Sequence, residues 1–274
     1  MSKGERATGD ENRTFQPRVA RKNIVSSHVP LKIAMLYPNE MNIYGDHGNL
    51  EFLSHRAALY GFDVEEILYE PDQALPDDVD IILGGGGQDS GQSKITGDLI
   101  KIGPKLQKLA SDGVPMLMIC GLYQLFGHYF LTKDGEKIPG VGIFDMTTTG
   151  GPKRLIGNIV TDWQGYKIVG YENHSGLTHL NDGQSPFARV ISGAGNNGKD
   201  RTEGARTNNV FGSYLHGPIL PKNPAFADEL LRLAAARKFG ITKLVPRDEA
   251  AAEKLKNLDE IIDHAREIAM GRPR

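Results

Sequence analysis

The sequence predicts an α/β fold built on an open, mostly parallel β-sheet with helices on both faces. Three observations lead to this prediction. Short apolar runs alternate with longer segments of helical periodicity over the first half of the chain. Those runs lack the alternation of a half-exposed strand, as expected when both faces of a sheet are buried. The length of 274 residues is enough to bury a full core.

The elements of the first half follow in order from residue 31 to residue 130. They are strand, helix, strand, strand, helix, strand and helix, over LKIAMLY, GNLEFLSHRAALYGF, DVEEILYE, VDIILGGGG, GDLIKIGPKLQKLASDGV, PMLMIC and GLYQLFGHYF. In the first helix, apolar residues recur near helical spacing and Gly61 is a stop signal. Pro104 lies within the second helix, where it is expected to kink that helix or to start a new one.

The pattern changes beyond about residue 140 to short strand-like pieces separated by Gly, Asn and Asp turns. These pieces are VGIFDMTT, RLIGNIV, YKIVGYE, FARVIS and NVFGSYL. Two closing helices are predicted at 224–238 and 248–270. The predicted organisation is a disordered polar tail at 1–29, an α/β domain at 30–246 and a C-terminal helical extension at 247–274.

Composition and charge exclude several classes of function. The net charge of −2 gives no electrostatic footprint for nucleic acid. The single cysteine cannot form an internal disulfide, so nothing indicates an oxidising compartment. The N-terminus has no apolar signal region, and no apolar run approaches the roughly 18–20 residues that span a bilayer. A cytoplasmic protein is therefore predicted.

The single cysteine, Cys120, lies in MLMICGLYQLFG at the carboxyl end of a predicted strand and directly before a helix. An unpaired cysteine is most often a small buried hydrophobe. Its place on a strand-to-helix turn favours a nucleophile instead, because such a turn exposes the side chain and needs a small neighbour, here Gly121. The positive end of the helix dipole is expected to favour the thiolate.

Backbone donors for an oxyanion are available on two segments. The N–H of Gly121 follows the nucleophile, and the glycine run 84–87 in LGGGGQD ends the neighbouring strand. A glycine run alone also fits a flexible turn. A phosphate-binding loop would end in Lys followed by Ser or Thr, and that pair is absent.

A general base for the thiol must come from a histidine distant in sequence. His216 is the first candidate, because it ends the apolar piece NVFGSYL and is followed by Gly217 and Pro218. His174 in GYENHSG is the second candidate. No pair of histidines shows metal-ligand spacing with supporting Cys, Asp or Glu, so no metal site is predicted.

Seven motifs, in order along the chain, resemble class I (triad-type) glutamine amidotransferases of the cobyric acid synthase branch. They are YPNEMNIYGDHGNL, LGGGGQD, MICGLYQLFG, KRLIGNIV, GYENHSG, GAGNNGKD and GSYLHGPILPKNP. Within that branch the chain is most similar to the glutaminase subunits of lipid II isoglutaminyl synthases. The resemblance implies the flavodoxin-like fold of the class over residues 30–246.

The resemblance also implies glutamine hydrolysis. Cys120 would attack the side-chain amide and His216 would protonate the departing ammonia. The residues that would bind the substrate are Arg154, Gln124, Gly86 and Gly121. A guanidinium such as that of Arg154 suits a carboxylate through paired donors, although without the family the residue would read as a solvated strand-edge charge. Glu172 and His174 would line the pocket or brace it.

The chain departs from the wider class after the histidine. Most triad amidotransferases read His-Pro-Glu, whereas this sequence reads His216-Gly217-Pro218-Ile219. The cobyric acid synthase branch shows the same gap. The carboxylate that orients the imidazole is therefore expected from elsewhere, either from Glu172 or, as the favoured alternative, from a partner subunit.

No ATP-binding loop of the Gly-rich Lys-Ser/Thr kind is present in the chain. The resemblance implies a heterodimer with a Mur-ligase-like synthetase that uses ATP and Mg²⁺ to amidate the α-carboxyl of D-glutamate in lipid II. No cofactor is expected in this chain, and no membrane insertion. A stand-alone cysteine hydrolase or peptidase, or a non-catalytic binding module with the same turn, remains an alternative.

Overall fold

The computed structural model describes residues 29–272, and the predicted tail lies outside the described residues apart from position 29. The strands are β1 (Leu31–Leu36), β2 (Val64–Tyr69), β3 (Ile81–Gly84), β4 (Met116–Ile119), β5 (Tyr129–Leu131), β6 (Lys137–Pro139), β7 (Met146–Trp163), β8 (Tyr166–Leu180), β9 (Ala188–Ser192), β10 (Thr202–Glu203), β11 (Ala205–Thr207) and β12 (Val210–Ser213). The helices are α1 (His47–Leu59), α2 (Asp89–Ser111), α3 (Gly121–Leu125), α4 (Ile219–Lys222), α5 (Pro224–Phe239) and α6 (Glu249–Gly271).

The first sheet has the strand order β11-β12-β4-β3-β1-β2. Its strands β12, β4, β3, β1 and β2 are all parallel, and only β11 runs antiparallel, to β12. The chain moves outward from β1 to β2 and in the other direction from β3 to β4. Right-handed crossovers therefore place α1 and α2 on opposite faces of this sheet. Strands β3, β4 and β12 are buried throughout, which explains their unbroken apolar runs.

The predicted parallel α/β class is therefore confirmed. The loops after β1 and β3 meet where the order of strands reverses, which is the usual position of a binding crevice in such sheets. Cys120 directly follows β4 and His216 follows β12 by three residues.

A second sheet has the order β10-β9-β7-β5-β6, with β8 paired to β7. Its main component is the antiparallel hairpin of β7 and β8, whose turn residues Gln164 and Gly165 both have positive φ. The sequence suggested several short pieces in this region. Two of them are instead parts of the single strand β7, and GYENHSG lies within β8.

Two helix boundaries also differ from the prediction. α2 begins at Asp89, eight residues before the predicted start at Gly97, and it continues past Pro104. α3 ends at Leu125, because the following residues enter the second sheet: His128 donates its N–H to the carbonyl of Met146 and β5 begins at Tyr129. The helices α5 and α6 begin and end within a residue or so of their predicted bounds.

The C-terminal helix packs on the first sheet's outer layer. Ala251 and Leu255 of α6 contact Leu59 at the end of α1. The buried guanidinium of Arg56 on α1 binds Asp228 of α5 and Asp259 of α6, each at 2.6 Å. This shared cation ties the three helices together. No helix among residues 29–272 is both long and apolar enough to cross a bilayer.

Candidate active site

Cys120, the glycine run and His216 come together at the carboxyl edge of the first sheet. A Cβ added to Gly86 would lie 3.2 Å from Cβ of Cys120 and 3.1 Å from Cε1 of His216. The two candidate catalytic side chains therefore flank the same glycine. The structure thus places the predicted nucleophile and the first-choice base beside each other.

The backbone at Cys120 is strained. Its φ of 48° and ψ of −99° lie in a region that non-glycine residues rarely adopt. The conformation is held by the flanking elements: the N–H of Cys120 donates to the carbonyl of Ser213 on β12, and its carbonyl accepts the N–H of Gln124 in α3. Such strain at a strand-to-helix turn is typical of a nucleophile elbow.

The thiol of Cys120 is 7% exposed and is held in its neutral form in this structure. Burial raises the pKa of the thiol to about 12, and the carboxylate of Asp46 raises it further, while Arg154 and the N–H of Gly121 act in the opposite direction. The N–H at the start of α3 acts in the expected direction, but it does not make the thiol a thiolate in this structure. α3 has only five residues, so burial outweighs its dipole.

His216 is buried, with 1% exposure, and its main chain is fixed by the second sheet. Its N–H donates to the carbonyl of Tyr171 on β8 at 2.8 Å. Within residues 29–272 neither ring nitrogen has a hydrogen-bond partner. Burial lowers the pKa of the imidazole to about 3, and the positive charges of Lys222 and Arg154 act in the same direction. The ring is therefore neutral in this structure.

The carboxylate of Glu172 faces a loop of the second sheet. Its two oxygens accept the N–H groups of Ala194 and Gly195, at 2.8 and 2.9 Å. Among the described residues Glu172 is not one of those that line the cavity at Cys120. Of the two expectations for Glu172, these hydrogen bonds fit bracing rather than lining the pocket, and its role in the site stays a prediction.

The cavity in front of Cys120 has a volume of about 590 Å³. The residues that line it are Ile43, Tyr44, Gly87, Gln88, Asp89, Ser90, Gln92, Cys120, Gln124, Phe130, Arg154, Ile156, Asn173, His174 and Ser175. Both sheets contribute, since β7 and β8 form one wall while α2, α3 and the loops after β1 and β3 form the other. A polar cavity of this size suits a small polar substrate.

Arg154 lies on the β-sheet wall of this cavity. It falls between Gly150 and Leu155, where the pairing of β7 with β8 shifts register. Such irregularities redirect side chains. Its Nε donates to Oδ1 of Asn173 and one terminal nitrogen donates to the Asn173 carbonyl, at 2.9 and 3.0 Å. The guanidinium is thereby oriented at the cavity and lies close enough to affect the pKa of Cys120.

Gln124 and His174 brace the inner wall of the cavity. Oε1 of Gln124 accepts from Nε2 of Gln92 at 2.9 Å, and its Nε2 donates to the hydroxyl of Tyr214 at 3.2 Å. The ring of His174 stacks on that of Tyr214 with centroids 3.6 Å apart. Nδ1 of His174 lies 2.8 Å from the carbonyl oxygen of Gly176. The substrate-positioning role expected of Gln124 stays a prediction.

The sequence reasoning did not single out four residues that the structure places at the site: Asp46, Tyr44, Gln92 and Asn173. Asp46 is a buried carboxylate whose Oδ2 accepts the N–H of Gly86. Tyr44 and Asp46 lie in YPNEMNIYGDHGNL, which was quoted only for its resemblance. A Gly-Asp pair after a buried strand at a sheet's reversal point is the signal that could have identified Asp46.

Comparison with known protein families assigns the class of this molecule. The chain belongs to the CobB/CobQ-like glutamine amidotransferase family, whose domain matches residues 32–224. The family predicted from the seven motifs is therefore confirmed, and with it the enzyme class of glutamine amidotransferase.

Individual relatives make the assignment narrower. The chain is 40% identical over 210 residues to the lipid II isoglutaminyl synthase (glutamine-hydrolyzing) subunit GatD of Staphylococcus aureus strain N315, covering 76% of this chain and 86% of the relative. It is also 40% identical over 215 residues to the subunit of the same name from Streptococcus pneumoniae, covering 77% and 82%. A solved structure of PurLQS from Thermotoga maritima matches with a TM-score of 0.50 and 16% identity, over 78% of this chain and 98% of that one. That likeness supports the fold.

Proposed function

We propose that this chain is the glutaminase subunit of a lipid II isoglutaminyl synthase. It hydrolyses L-glutamine to glutamate and passes ammonia to a Mur-ligase-like synthetase subunit. That partner amidates the α-carboxyl of D-glutamate in lipid II, in peptidoglycan synthesis, with ATP and Mg²⁺ bound on its own chain. Both reactions take place in the cytoplasm. The two relatives of that name, each more than four-fifths covered, support this choice.

The placement of Cys120 and His216 on either side of Gly86 carries the proposal. A thiol that adds to a carboxamide needs a neutral base next to it, and the lowered pKa of His216 keeps the imidazole neutral. A buried, uncharged thiol and imidazole form a pair in which the proton moves as sulfur attacks.

The reaction follows from this pair. Sγ of Cys120 bonds to the side-chain carbon of glutamine while the thiol proton moves to the ring of His216. The tetrahedral intermediate then collapses: the carbon–nitrogen bond breaks, the imidazolium gives its proton to the nitrogen, and ammonia leaves. Water adds to the resulting thioester, with its proton taken by His216, and release of glutamate restores the thiol.

Arg154 would hold the substrate's α-carboxylate. Asn173 already orients its guanidinium at the cavity, so the side chain needs little reorganisation on binding. In this assignment Gly121 supplies an oxyanion donor, because its N–H already lowers the pKa of the Cys120 thiol.

The carboxylate that orients the imidazole is proposed to come from the synthetase. Both oxygens of Glu172 are held by loop N–H groups, which favours a donor outside this chain over Glu172. Neither ring nitrogen of His216 has a partner within the described residues, so in the assembled complex such a carboxylate would supply one. Glutaminase activity would then depend on assembly of the complex, and free ammonia would not be wasted.

Glutamate release from glutamine tests the proposal, with wild-type chain and the Cys120→Ala variant measured side by side in the presence of the synthetase. Glutamate formation by the wild type but not by Cys120→Ala supports a glutaminase. Its absence, with hydrolysis of other amides or peptides, indicates a stand-alone hydrolase, and no turnover of any amide indicates a binding module.

A further inference from the structure

Asp46 is a buried carboxylate that the reaction above does not use. It precedes α1 but makes no side-chain cap to that helix, and its exposure is 1%. Its Oδ2 instead accepts the N–H of Gly86 at 2.8 Å. Its Oδ1 is buried with no hydrogen-bond partner in the part of the chain that the structure describes. The side chain is therefore directed at the glycine run rather than at its own helix.

A second hydrogen bond holds the other side of Gly86. Its carbonyl accepts the N–H of Ile43 at 3.1 Å. None of the described peptide bonds is cis. Because the C=O and N–H of a trans peptide point to opposite sides, the N–H of Gly87 points away from Ile43. The nitrogen of Gly87 lies 3.0 Å from the position that a Cβ on Gly121 would occupy, and Gly87 lines the cavity with Cys120.

The glycine run is also held by a long hydrogen bond, from the N–H of Leu122 to the carbonyl of Gly85 at 3.4 Å. A Cβ on Gly85 would lie 2.0 Å from the carbonyl oxygen of Met41, and one on Gly86 would press on Cys120 and His216. Only glycine fits this narrow space, yet consecutive glycines have the largest conformational freedom of any residues. The hydrogen bonds at Gly86 therefore decide where the next N–H points.

We propose that Asp46 is a positioning residue that fixes the backbone at Gly86, so that the N–H of Gly87, in the next peptide, joins that of Gly121 in the oxyanion hole. The inference rests on the proposed function, because it assigns donors to the tetrahedral intermediate of that reaction. Preorganised donors of this kind act on the developing oxyanion and not on the bound ground-state amide.

A nearby cation favours the ionised form of the Asp46 carboxylate. The amine of Lys222 on α4 donates to the carbonyls of His216 and Gly217. Burial raises the pKa of Asp46 to about 6, while the Gly86 N–H and the charge of Lys222 lower it. The hydrogen bond between Asp46 and Gly86 thus joins the loops after β1 and β3, and Lys222 binds carbonyls of the loop after β12.

The test compares Asp46→Ala and Asp46→Asn in the full chain, alone and with its synthetase. Asparagine keeps an acceptor oxygen for the Gly86 N–H, whereas alanine does not. We expect Asp46→Ala to lower kcat for glutamine by about 100-fold or more, with KM within about twofold of wild type. Asp46→Asn should restore at least a tenth of the wild-type kcat. Glu51→Ala, which removes an exposed carboxylate from α1, is the matched control.

An aldehyde inhibitor gives a second readout. The thiol sulfur of Cys120 adds to the aldehyde carbon of L-glutamate γ-semialdehyde and the thiol proton passes to the oxygen, which then occupies the oxyanion position. Its inhibition constant should rise in Asp46→Ala by a factor similar to the loss in kcat. A binding role for Asp46 would instead raise KM at constant kcat, and would overturn the proposal.

The remaining outcomes are also decisive. If Asp46→Ala fails to fold, the test rests on Asp46→Asn. An Asp46→Asn enzyme that loses both kcat and affinity for the aldehyde would overturn the positioning role. An Asp46→Ala enzyme with normal kcat would also overturn the positioning role of Asp46, while leaving the proposed function intact. A wild-type chain that is inactive on glutamine with its synthetase would contradict the proposed function itself.

Discussion

The ring of Tyr44 lies against the imidazole of His216, with ring centroids 4.1 Å apart and planes inclined at 48°. Tyr44 belongs to the loop after β1 and also lines the cavity. It therefore separates the catalytic imidazole from solvent on the cavity side. This contact contributes to the burial that lowers the pKa of His216.

Removal of the Tyr44 ring should shift the pH profile of the enzyme. Burial lowers the pKa of His216 to about 3, so the wild-type imidazole stays neutral through mildly acidic pH. In Tyr44→Ala the imidazole of His216 becomes hydrated, and its pKa rises toward the ordinary value. The loss of activity on the acidic side should therefore begin at a higher pH than in the wild type. The measurement is kcat/KM as a function of pH. Tyr44→Phe, which keeps the ring, is the control, and an acid limb unchanged in Tyr44→Ala would contradict this account.

Arg154→Ala should mainly weaken glutamine binding. If the guanidinium holds the substrate carboxylate, KM should rise about tenfold or more while kcat changes less. Arg154→Lys should restore binding poorly, because an ammonium cannot reproduce the planar two-point contact. Lys153→Ala removes the neighbouring exposed charge and serves as the control. An unchanged KM in Arg154→Ala would leave this residue as a surface charge.

The buried carboxyl group of Glu203 should make the stability of the folded protein depend on pH. Its Oε1 accepts from the Ser213 hydroxyl and the Tyr214 N–H, and burial raises its pKa from 4.5 to about 8. The folded state therefore keeps this proton to a higher pH than the unfolded state. Stability should fall as pH rises from about 4.5 to about 8, by an amount on the order of a few kcal/mol.

Glu203→Gln should remove most of that dependence, because the amide is neutral at every pH and keeps an oxygen for the same two donors. Urea unfolding at a series of pH values measures the effect, with the exposed acid change Asp182→Asn as the control. A free energy of unfolding that falls equally steeply in Glu203→Gln and wild type would refute this role of Glu203.

The synthetase should raise the glutaminase rate of this chain. The imidazole of His216 lacks a hydrogen-bond partner within residues 29–272, and an orienting carboxylate from the partner would supply one. We expect glutamate release by the complex to exceed that of the lone chain by about tenfold or more. A Glu172→Gln variant distinguishes the internal alternative. Full activity of the lone chain, lost in Glu172→Gln, would assign the third position to Glu172.

The sequence allowed prediction of β1, β3 and β4 because these central strands are buried and their apolar runs are unbroken. The same reasoning placed Cys120 and His216 at strand ends, where the structure brings them together. The second sheet was harder to predict. β7 and β8 carry glycines, polar residues and a register shift, so their sequence resembles several short strands.

The ionisation of the site could not be predicted from sequence. A helix start after Cys120 suggested a thiolate, but the length of α3 and the burial of the thiol depend on packing between two sheets. The role of Asp46 likewise depends on a contact across 40 residues of sequence, between the loops after β1 and β3. The Gly45-Asp46 pair marks a position in the loop after β1, but the contact itself arises from the strand order.

Ammonia rescue of Cys120→Ala tests the central claim most directly. The variant chain is combined with the synthetase, ATP, Mg²⁺ and lipid II, and amidated product is measured by mass spectrometry with either ¹⁵N-amide glutamine or ammonium chloride as nitrogen source. Loss of the nucleophile should reduce glutamine-dependent amidation by several orders of magnitude. Amidation from ammonium chloride should continue near the wild-type rate, since the synthetase site is intact. Incorporation of ¹⁵N from glutamine by the Cys120→Ala complex at the wild-type rate would contradict the account.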